Sequence, residues 1–503
     1  MPLARQWNAG VSRGMPGYKQ MDITTHSNDG TDTTAPLPHH DVSAFADVQI
    51  SEALIRRFDR QGPRYTSYPT ADRFSDTFDE NAYREHLARR AAAERNPPLS
   101  VYLHLPFCES LCYFCACNKI ITQDHGRTSA YVDYLIREME LVAPHLGRDR
   151  VTTQLHLGGG TPTFFAIDEL ARLMRALRSH FDFAPHAELG VEIDPRTVDA
   201  HTLQALAELG FNRTSFGVQD FDPSVQEAVH RIQPLPMVEH ALAASRASGF
   251  ESINIDLIYG LPRQTPESFS RTLDEVIRLS PDRIAVYNYA HLPSRFKAQR
   301  LIDESALPLA EDRLRIFIES TRRLLDAGYV YIGLDHFAKP TDELSKALRE
   351  RSLHRNFQGY TTQAECDLIG FGISAIGKVG ASYSQSTRSL KTYYRHLDAG
   401  RLPIERGFAL TPDDLLRREI IMTVMCSTPL DFAVIGRKHG IDFARHFAAE
   451  LAQLEPYREA GLLTIDANRI AITPKGRMFV RAIGMVFDGY LGRPASASYS
   501  KLI

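Results

Sequence analysis

The sequence predicts an α/β fold built as a parallel barrel, or most of one, in preference to an open doubly wound sheet. Three observations predict it. Six short β-rich runs recur in order between residues 101 and 289, helix-period stretches separate them, and polar or glycine-rich residues gather where the runs end. A chain of 503 residues has room for such a barrel and a second domain without disulfide staples.

Taken in order, residues 1–48 are rich in Thr, Asp, His, Pro and Gly, and read as a disordered tail in which Met15 and Met21 offer alternative starts. Residues 49–100 form an N-terminal segment. A helix is expected near Ser51, because SEALIRRFDR carries a Ser cap, an early Glu and basic residues at its end. The prolines of GPRYTSYPTA, Gly62–Ala71, argue against a helix there. The β-rich runs are Val101–Leu105, Thr153–Leu157, Leu189–Ile193, Thr214–Val218, Ser252–Ile258 and Arg283–Tyr289. Between them, Tyr131–Leu146, Ile167–Phe181, Ala200–Leu209, Met237–Ser248 and Pro266–Leu279 place apolar residues three and four apart. A helix over Ala310–Ala327 and one further strand over Tyr329–Phe337 continue the pattern. The barrel with its extension is assigned to 101–389, and 390–503 to a mainly helical domain. Near its end, LLTIDANRIAIT and PKGRMFVRAIG suggest a wing-like hairpin, read as a packing element in the absence of a basic recognition helix.

Composition excludes several classes. Hydrophobic residues at 43% and charged residues at 24% are those of a globular chain, not of a disordered, collagenous or coiled-coil one. A net charge of −3 argues against nucleic acid as a partner. The longest apolar candidate, Leu368–Gly377, is short and rich in glycine, so no membrane span is expected. The N-terminus lacks the apolar core of a secretory signal, and a cytoplasmic, reducing location is expected.

The six cysteines are unevenly placed. Cys108, Cys112, Cys115 and Cys117 crowd one loop directly after the first run, while Cys366 and Cys426 stand alone. Such crowding in a reduced protein reads as a metal or redox site. Zinc would want a second ligand pair. Three thiolates spaced C-x3-C-x2-C hold three irons of a cubane and leave the fourth open, as a catalytic cluster requires. On the remaining run ends lie Gly158, Gly159 and Gly160, whose backbone amides suit an amino-acid carboxylate or amine, and the polar side chains Glu192 and Gln219. Asp256 interrupts an apolar run, and a buried carboxylate there needs a ligand or a fixed partner; ribose hydroxyls would suit it and Glu192. Arg231 has the fork to hold a carboxylate in a bidentate way.

The cysteine spacing, with Phe114 before the third cysteine, resembles the radical S-adenosylmethionine superfamily. More specifically, PRYTSYPTA, CYFCACNK, GGGTPT, VEIDPR, FGVQDF, HRIQP, NIDLIYGLP, YNYAHLP, GLDHFAKP, RNFQGYTT and GFGISAIG occur in that order. Together they resemble the oxygen-independent coproporphyrinogen III oxidase family, from about residue 50 to the C-terminus. The resemblance implies an incomplete (β/α)6 TIM-like barrel with a mainly helical C-terminal domain. It implies oxidative decarboxylation of two propionates of coproporphyrinogen III to vinyls, giving protoporphyrinogen IX, by a 5′-deoxyadenosyl radical. Cys108, Cys112 and Cys115 would hold a [4Fe-4S] cluster. Tyr102, Gly159, Glu192 and Ile376 would line S-adenosylmethionine on it. Phe114, Gly160, Thr161, Gln219, Arg231, Asp256 and Ala290 match positions around a second S-adenosylmethionine, so one or two are expected. Cys117 matches the family's additional cysteine and is assigned a catalytic role with Tyr65 and Arg64. A low-potential donor such as flavodoxin or ferredoxin and a monomeric state go with this reading.

One departure stands out: Ala116 occupies a position where the family commonly has Gly, and its methyl would strain the loop if φ were positive there. A substrate with four carboxylates needs cations, and the candidates are Arg64, Arg295, Arg300, Lys339 and Arg355. Tyr65 and Tyr68 would either cover the macrocycle or pack their segment onto the barrel. The rival readings are a haem-binding chaperone of the same superfamily, a haem-degrading radical methyltransferase, and a DNA-binding regulator acting through the wing.

Overall fold

Residues that alternate between apolar and polar along a strand must present two different faces, and here both faces are used. In the computed structural model, which describes residues 51–363 and 366–491, the six expected runs form parallel strands. They are β1 (Leu99–Leu105), β2 (Val151–Gly159), β3 (Asp182–Ile193), β4 (Arg213–Gln219), β5 (Ser252–Tyr259) and β6 (Arg283–Asn288). The chain adds β7 (Val330–Gly333), β8 (His336–Ala338), β9 (Asp367–Phe371), β10 (Ile376–Lys378), β11 (Ser382–Ser386) and β12 (Ile404–Ala409). The sheet order is β12-β11-β10-β9-β1-β2-β3-β4-β5-β6-β8-β7. β9 is a seventh parallel strand, beside β1, and the outer strands on both sides run antiparallel. β12 and β7 are the two ends of this order, so the barrel is partial.

Helices Gly126–Val142, Ile167–His180, Ala200–Glu208, Leu235–Ala247 and Pro266–Leu279 connect the parallel strands as expected. The outward residues Val101, Leu103, Leu155, Leu157, Phe216, Ile255 and Val286 are buried. The inward residues differ in kind: Tyr102 stacks on His156, His156 reaches Glu192, and Ser215 bonds Asp256. Apolar side chains usually fill a barrel of this type. Here the concave face is polar and leaves cavities, which places chemistry inside the sheet.

The sequence-based expectations need three corrections. Tyr329–Phe337 is not one strand but the hairpin β7–β8, because Gly333 (φ +150°) and Leu334 (φ +50°) turn the chain. The boundary expected at 390 falls inside the sheet, since β12 still pairs with β11; the helical region starts with Pro412–Met425, capped by Thr411 and Asp414. A helix over Glu80–Ala92 was not foreseen. It docks through a buried Arg90–Asp367 ion pair of 2.9 Å. The helix expected near Ser51 is present as Glu52–Phe58 with Ser51 as its cap. The wing is present as Leu463–Ile465 and Arg469–Ile472, and Arg477 beyond it donates to Tyr331 O of β7, a packing role. The tail expected over 1–48 lies outside the described residues. No helix among the described residues is long and apolar enough to cross a membrane.

One buried carboxyl makes the fold pH-sensitive. Glu138 is 2% exposed, and its Oε2 accepts from Tyr393 Oη at 2.6 Å and from Gly372 N at 2.8 Å. Burial pushes it up to about 7, against 4.5 for the free group. Its stabilising effect is therefore complete below the unfolded value and is lost as pH rises through about 7. Glu138→Gln, whose carbonyl keeps both bonds, is expected to be the more stable form near pH 8 and to lose that advantage near about pH 5, a change on the order of 3 kcal/mol. Thermal unfolding of both proteins across that range checks it.

Candidate functional site

The cysteine loop leaves the end of β1 and is pinned at both feet. Phe107–Cys108 pairs with Ile120–Ile121, and Gly160 N and Thr161 N donate to Leu105 O and Phe107 O at 2.8 and 2.9 Å. Cys108, Cys112, Cys115 and Cys117 line one cavity of about 170 Å³ together with Phe114, Gly159, Gly160, Thr161, Glu192, Gln219, Arg231 and Asp256. Twelve of the predicted site residues are thus brought together there.

Each of the three spaced sulfurs faces a donor. Thr161 Oγ1 donates to Cys108 Sγ at 3.4 Å. Arg231 Nη1 and Arg196 Nη2 lie 3.4 and 3.6 Å from Cys112 Sγ. The neighbouring Cys117 thiol, with Lys119, holds Cys115 below the usual thiol range, and Cys115 in turn pushes Cys117 up. Burial pushes the Cys108 thiol up to about 11, so that a positive ion is needed to deprotonate it. No three or more His, Cys, Asp or Glu residues among those described converge tightly enough to hold a single metal ion. Thiolates that each bind a different iron of one cluster stand further apart than the ligands of one ion, and hydrogen bonds to each sulfur suit that role. The donor set therefore fits an iron–sulfur cluster. Ala116 is not among the residues with positive φ, so its methyl imposes no backbone strain.

Two carboxylates face the cysteines. Glu192 Oε1 is 3.2 Å from His156 Nε2, and its Oε2 accepts from Gly159 N at 3.1 Å. Burial raises this group, but His156 and the Gly159 N–H outweigh it and hold Glu192 ionised. Asp256 accepts from Ser215 Oγ and Asn254 Nδ2, both at 2.9 Å, and burial pushes it up to about 6.

Several of the expected site residues already have partners within the protein. The glycine run serves the fold: Cβ atoms at 158, 159 and 160 would meet Glu192, His104 and the Pro106 carbonyl at 2.7, 2.5 and 2.6 Å. The Gly159 and Gly160 amides already donate within the protein. The fork of Arg231 is closed on Asp194 Oδ2 (3.0 Å) and Gly217 O (2.6 Å). Tyr102 stands just below the cavity, stacked on His156. Ile376 lies on β10 against Tyr383 and Phe74. Ala290 is tied to Phe114 by Gln299 Nε2, which donates to both carbonyls. Tyr65 and Arg64, expected as catalytic, lie outside the cysteine cavity. Tyr65 is fully buried and donates to Asp488 Oδ2 at 2.9 Å, while Arg64 pairs with Asp335. Tyr68 is equally buried, and the segment packs onto the barrel.

Asp194, Arg196, His156 and Gln299 were missed. Asp194 and Arg196 sit in the same VEIDPR stretch as Glu192, and His156 lies two residues before Gly158 on the inward side of β2. Gln299 carried no signal in the sequence.

Residues 102–276 match the family model of the radical SAM superfamily, and residues 410–479 match that of the HemN C-terminal domain. The chain is 48% identical over 452 residues to the oxygen-independent coproporphyrinogen III oxidase of Pseudomonas aeruginosa, covering 90% of this chain and 98% of the relative. It is 48% identical over 443 residues to that of Escherichia coli, covering 88% and 96%. The solved structure of coproporphyrinogen III oxidase (HemN) from Escherichia coli, described as a radical SAM enzyme, superposes with a TM-score of 0.84 at 46% identity. It covers 88% of this chain and all of that one.

Proposed function

The chain belongs to the oxygen-independent coproporphyrinogen III oxidases of the radical SAM superfamily, and from that premise we propose that the cysteine cavity is where its reaction runs. The reaction is oxidative decarboxylation of propionate side chains of coproporphyrinogen III to vinyls. Family membership implies a [4Fe-4S] cluster and S-adenosylmethionine. Cys108, Cys112 and Cys115 would hold the cluster. Bound there, the two groups supply a carbon-centred radical able to take a hydrogen atom from a propionate. The observation that carries the reading is the set of three sulfurs, each facing a donor, in one cavity with Glu192 and Asp256.

The protein's own contribution is binding and orientation. Glu192, ionised and fixed by His156 and Gly159, has lone pairs left to accept from ribose hydroxyls. Asp256 is the second acceptor, and Phe114 lines the same cavity as the apolar surface for an adenine. Arg231 and Arg196 act on the Cys112 sulfur and, with Asp194, keep the loop closed over the sheet. Cys117, beside Cys115 on the cavity wall, is the thiol placed to reach a ligand in the cavity. One or two S-adenosylmethionine molecules, a low-potential donor such as flavodoxin or ferredoxin, a monomeric state and a cytoplasmic location complete the reading.

Anaerobic reconstitution with iron and sulfide, followed by S-adenosylmethionine, a strong reductant and coproporphyrinogen III, tests it. Mass spectrometry is expected to find loss of two carboxyl groups and formation of 5′-deoxyadenosine. Deoxyadenosine with unchanged tetrapyrrole would overturn the substrate assignment and leave the radical chemistry standing.

A further inference from the structure

The three spaced sulfurs do not have equal surroundings. Thr161 offers Cys108 a neutral hydroxyl at 3.4 Å. Lys119, beside Cys115, donates to the carbonyls of Cys115 and Cys117 at 3.0 and 3.5 Å. Of the three, Cys112 is the one that meets guanidiniums, Arg231 Nη1 at 3.4 Å and Arg196 Nη2 at 3.6 Å. Sulfur is larger than oxygen, so both are hydrogen-bond distances.

The two arginines share one carboxylate. Asp194 Oδ1 accepts from Arg196 N and Arg196 Nε, both at 3.0 Å. Its Oδ2 accepts from Arg196 Nη2 at 2.7 Å and from Arg231 Nη1 at 3.0 Å. Two positive charges and one negative charge therefore stand at the Cys112 sulfur. The cavity wall as a whole carries no such surplus. Among the described residues, Lys119, Arg196 and Arg231 stand there against Glu192, Asp194 and Asp256. Removing one arginine leaves the wall negative. Water screens these charges little, because Cys112 is 7% exposed and the Asp194 side chain 8%.

Arg196 is the arginine whose guanidinium the fold needs least. Arg231 also donates Nη2 to Gly217 O of β4 at 2.6 Å. The guanidinium of Arg196 bonds, among the described residues, only to Asp194 and Cys112. The turn at Pro195–Thr197 is held without it. Arg196 N bonds Asp194 Oδ1, and Thr197 Oγ1 donates to Asp194 O at 2.9 Å and lies 2.6 Å from Thr163 Oγ1.

Net charge and hydrogen bonds to the sulfurs are what set the reduction potential of an iron–sulfur cluster. One electron from the low-potential donor adds one negative charge and makes or breaks no bond. We propose that Arg196 raises the potential of the cluster through the Cys112 sulfur, that Asp194 limits the rise, and that the pair thereby sets how readily the donor reduces the enzyme. This rests on the functional reading above and names what controls electron entry within it.

The full chain, reconstituted anaerobically with iron and sulfide, tests this by redox titration followed by electron paramagnetic resonance of the reduced cluster. Arg196→Gln is expected to hold wild-type iron. At the wild-type midpoint its ratio of reduced to oxidised cluster should fall about tenfold, a shift of about 59 mV to lower potential for one electron. Asp194→Asn removes the negative charge and keeps an oxygen for Arg196 N, so its potential should rise. A role confined to packing the loop would move both variants the same way or neither. A wild-type potential in iron-loaded Arg196→Gln, or shifts of one sign in both variants, would overturn the proposal. If Arg196→Gln holds no iron, Asp194→Asn decides alone, and a potential at or below wild type overturns it. Failure of the wild-type chain to assemble a cluster would instead remove the functional reading on which the proposal rests.

Discussion

Cys112→Ser is expected to leave a folded protein that holds little iron and makes no measurable 5′-deoxyadenosine, a loss of about a thousandfold or more. Cys112 is the most enclosed of the three spaced cysteines, 7% exposed, and two guanidiniums point at its sulfur. Those donors suit a thiolate, whose charge Arg231 and Arg196 offset. A serine oxygen is shorter, harder and protonated at neutral pH, so it replaces neither the iron bond nor the charge. The fold should survive, because Asp194 still closes both arginines. Unfolding is expected within about 1 kcal/mol of wild type. Cys117→Ser should retain its iron, since the proposed ligand set needs only Cys108, Cys112 and Cys115. Cys366→Ser should change neither quantity, because that thiol meets Thr153 on another part of the chain. Iron and sulfide content, visible absorption and deoxyadenosine yield measure all three. A Cys112→Ser protein with full iron would remove the loop from the cluster.

The parts of the molecule that repeat a physical pattern were legible in the sequence. Six parallel strands announced themselves because each run is buried on its outward face and is followed by a helix of regular period. The antiparallel strands did not. β8 and β10 are only three residues each, too short for alternation to show, and β7–β8 turns at Gly333 and Leu334 within what reads as one β-rich run. The cysteine loop was legible because three like ligands at fixed spacing are rare. Asp256 was legible because a carboxylate in an apolar run needs a reason. Asp194 was not, although it stands two residues from Glu192. Alternation would turn both the same way, and only the 3-10 turn at Pro195–Thr197 bends Asp194 toward Arg196 and Arg231. Arg231 shows the same limit. Its residue type says that it grips a carboxylate, but not that the carboxylate belongs to the protein. In PRYTSYPTA, nothing in the sequence separates a tyrosine that covers a ligand from one sealed by Asp488 and the C-terminal helices.

Gly160→Ala carries the second large effect, and it reaches the cysteines through the backbone. A Cβ at residue 160 would lie 2.6 Å from the Pro106 carbonyl carbon, 2.7 Å from its oxygen and 2.8 Å from Phe107 O. None of these is the end of a flexible side chain. Pro106 O also accepts from Ile120 N at 2.8 Å, and Phe107 O from Thr161 N at 2.9 Å. The strap between β1 and Cys108 cannot retreat without releasing the Phe107–Cys108 pairing to Ile120–Ile121 at the far foot of the loop. A displacement of about 1 Å at a reacting centre costs on the order of a hundredfold in rate. Gly160→Ala is therefore expected to lower deoxyadenosine formation by about that factor or more and to reduce cluster occupancy. Gly158→Ala should act differently, because its methyl meets the Glu192 carboxylate, a side chain that can rotate away. That variant should keep its iron and raise the concentration of S-adenosylmethionine needed for turnover. Ala116→Gly is the control on the same loop. With φ outside the positive range, the change should leave cluster and rate within about twofold of wild type. If Gly160→Ala retained full iron and rate, the strap would be more yielding than its hydrogen bonds imply, and the glycine run would regain its reading as a ligand cradle.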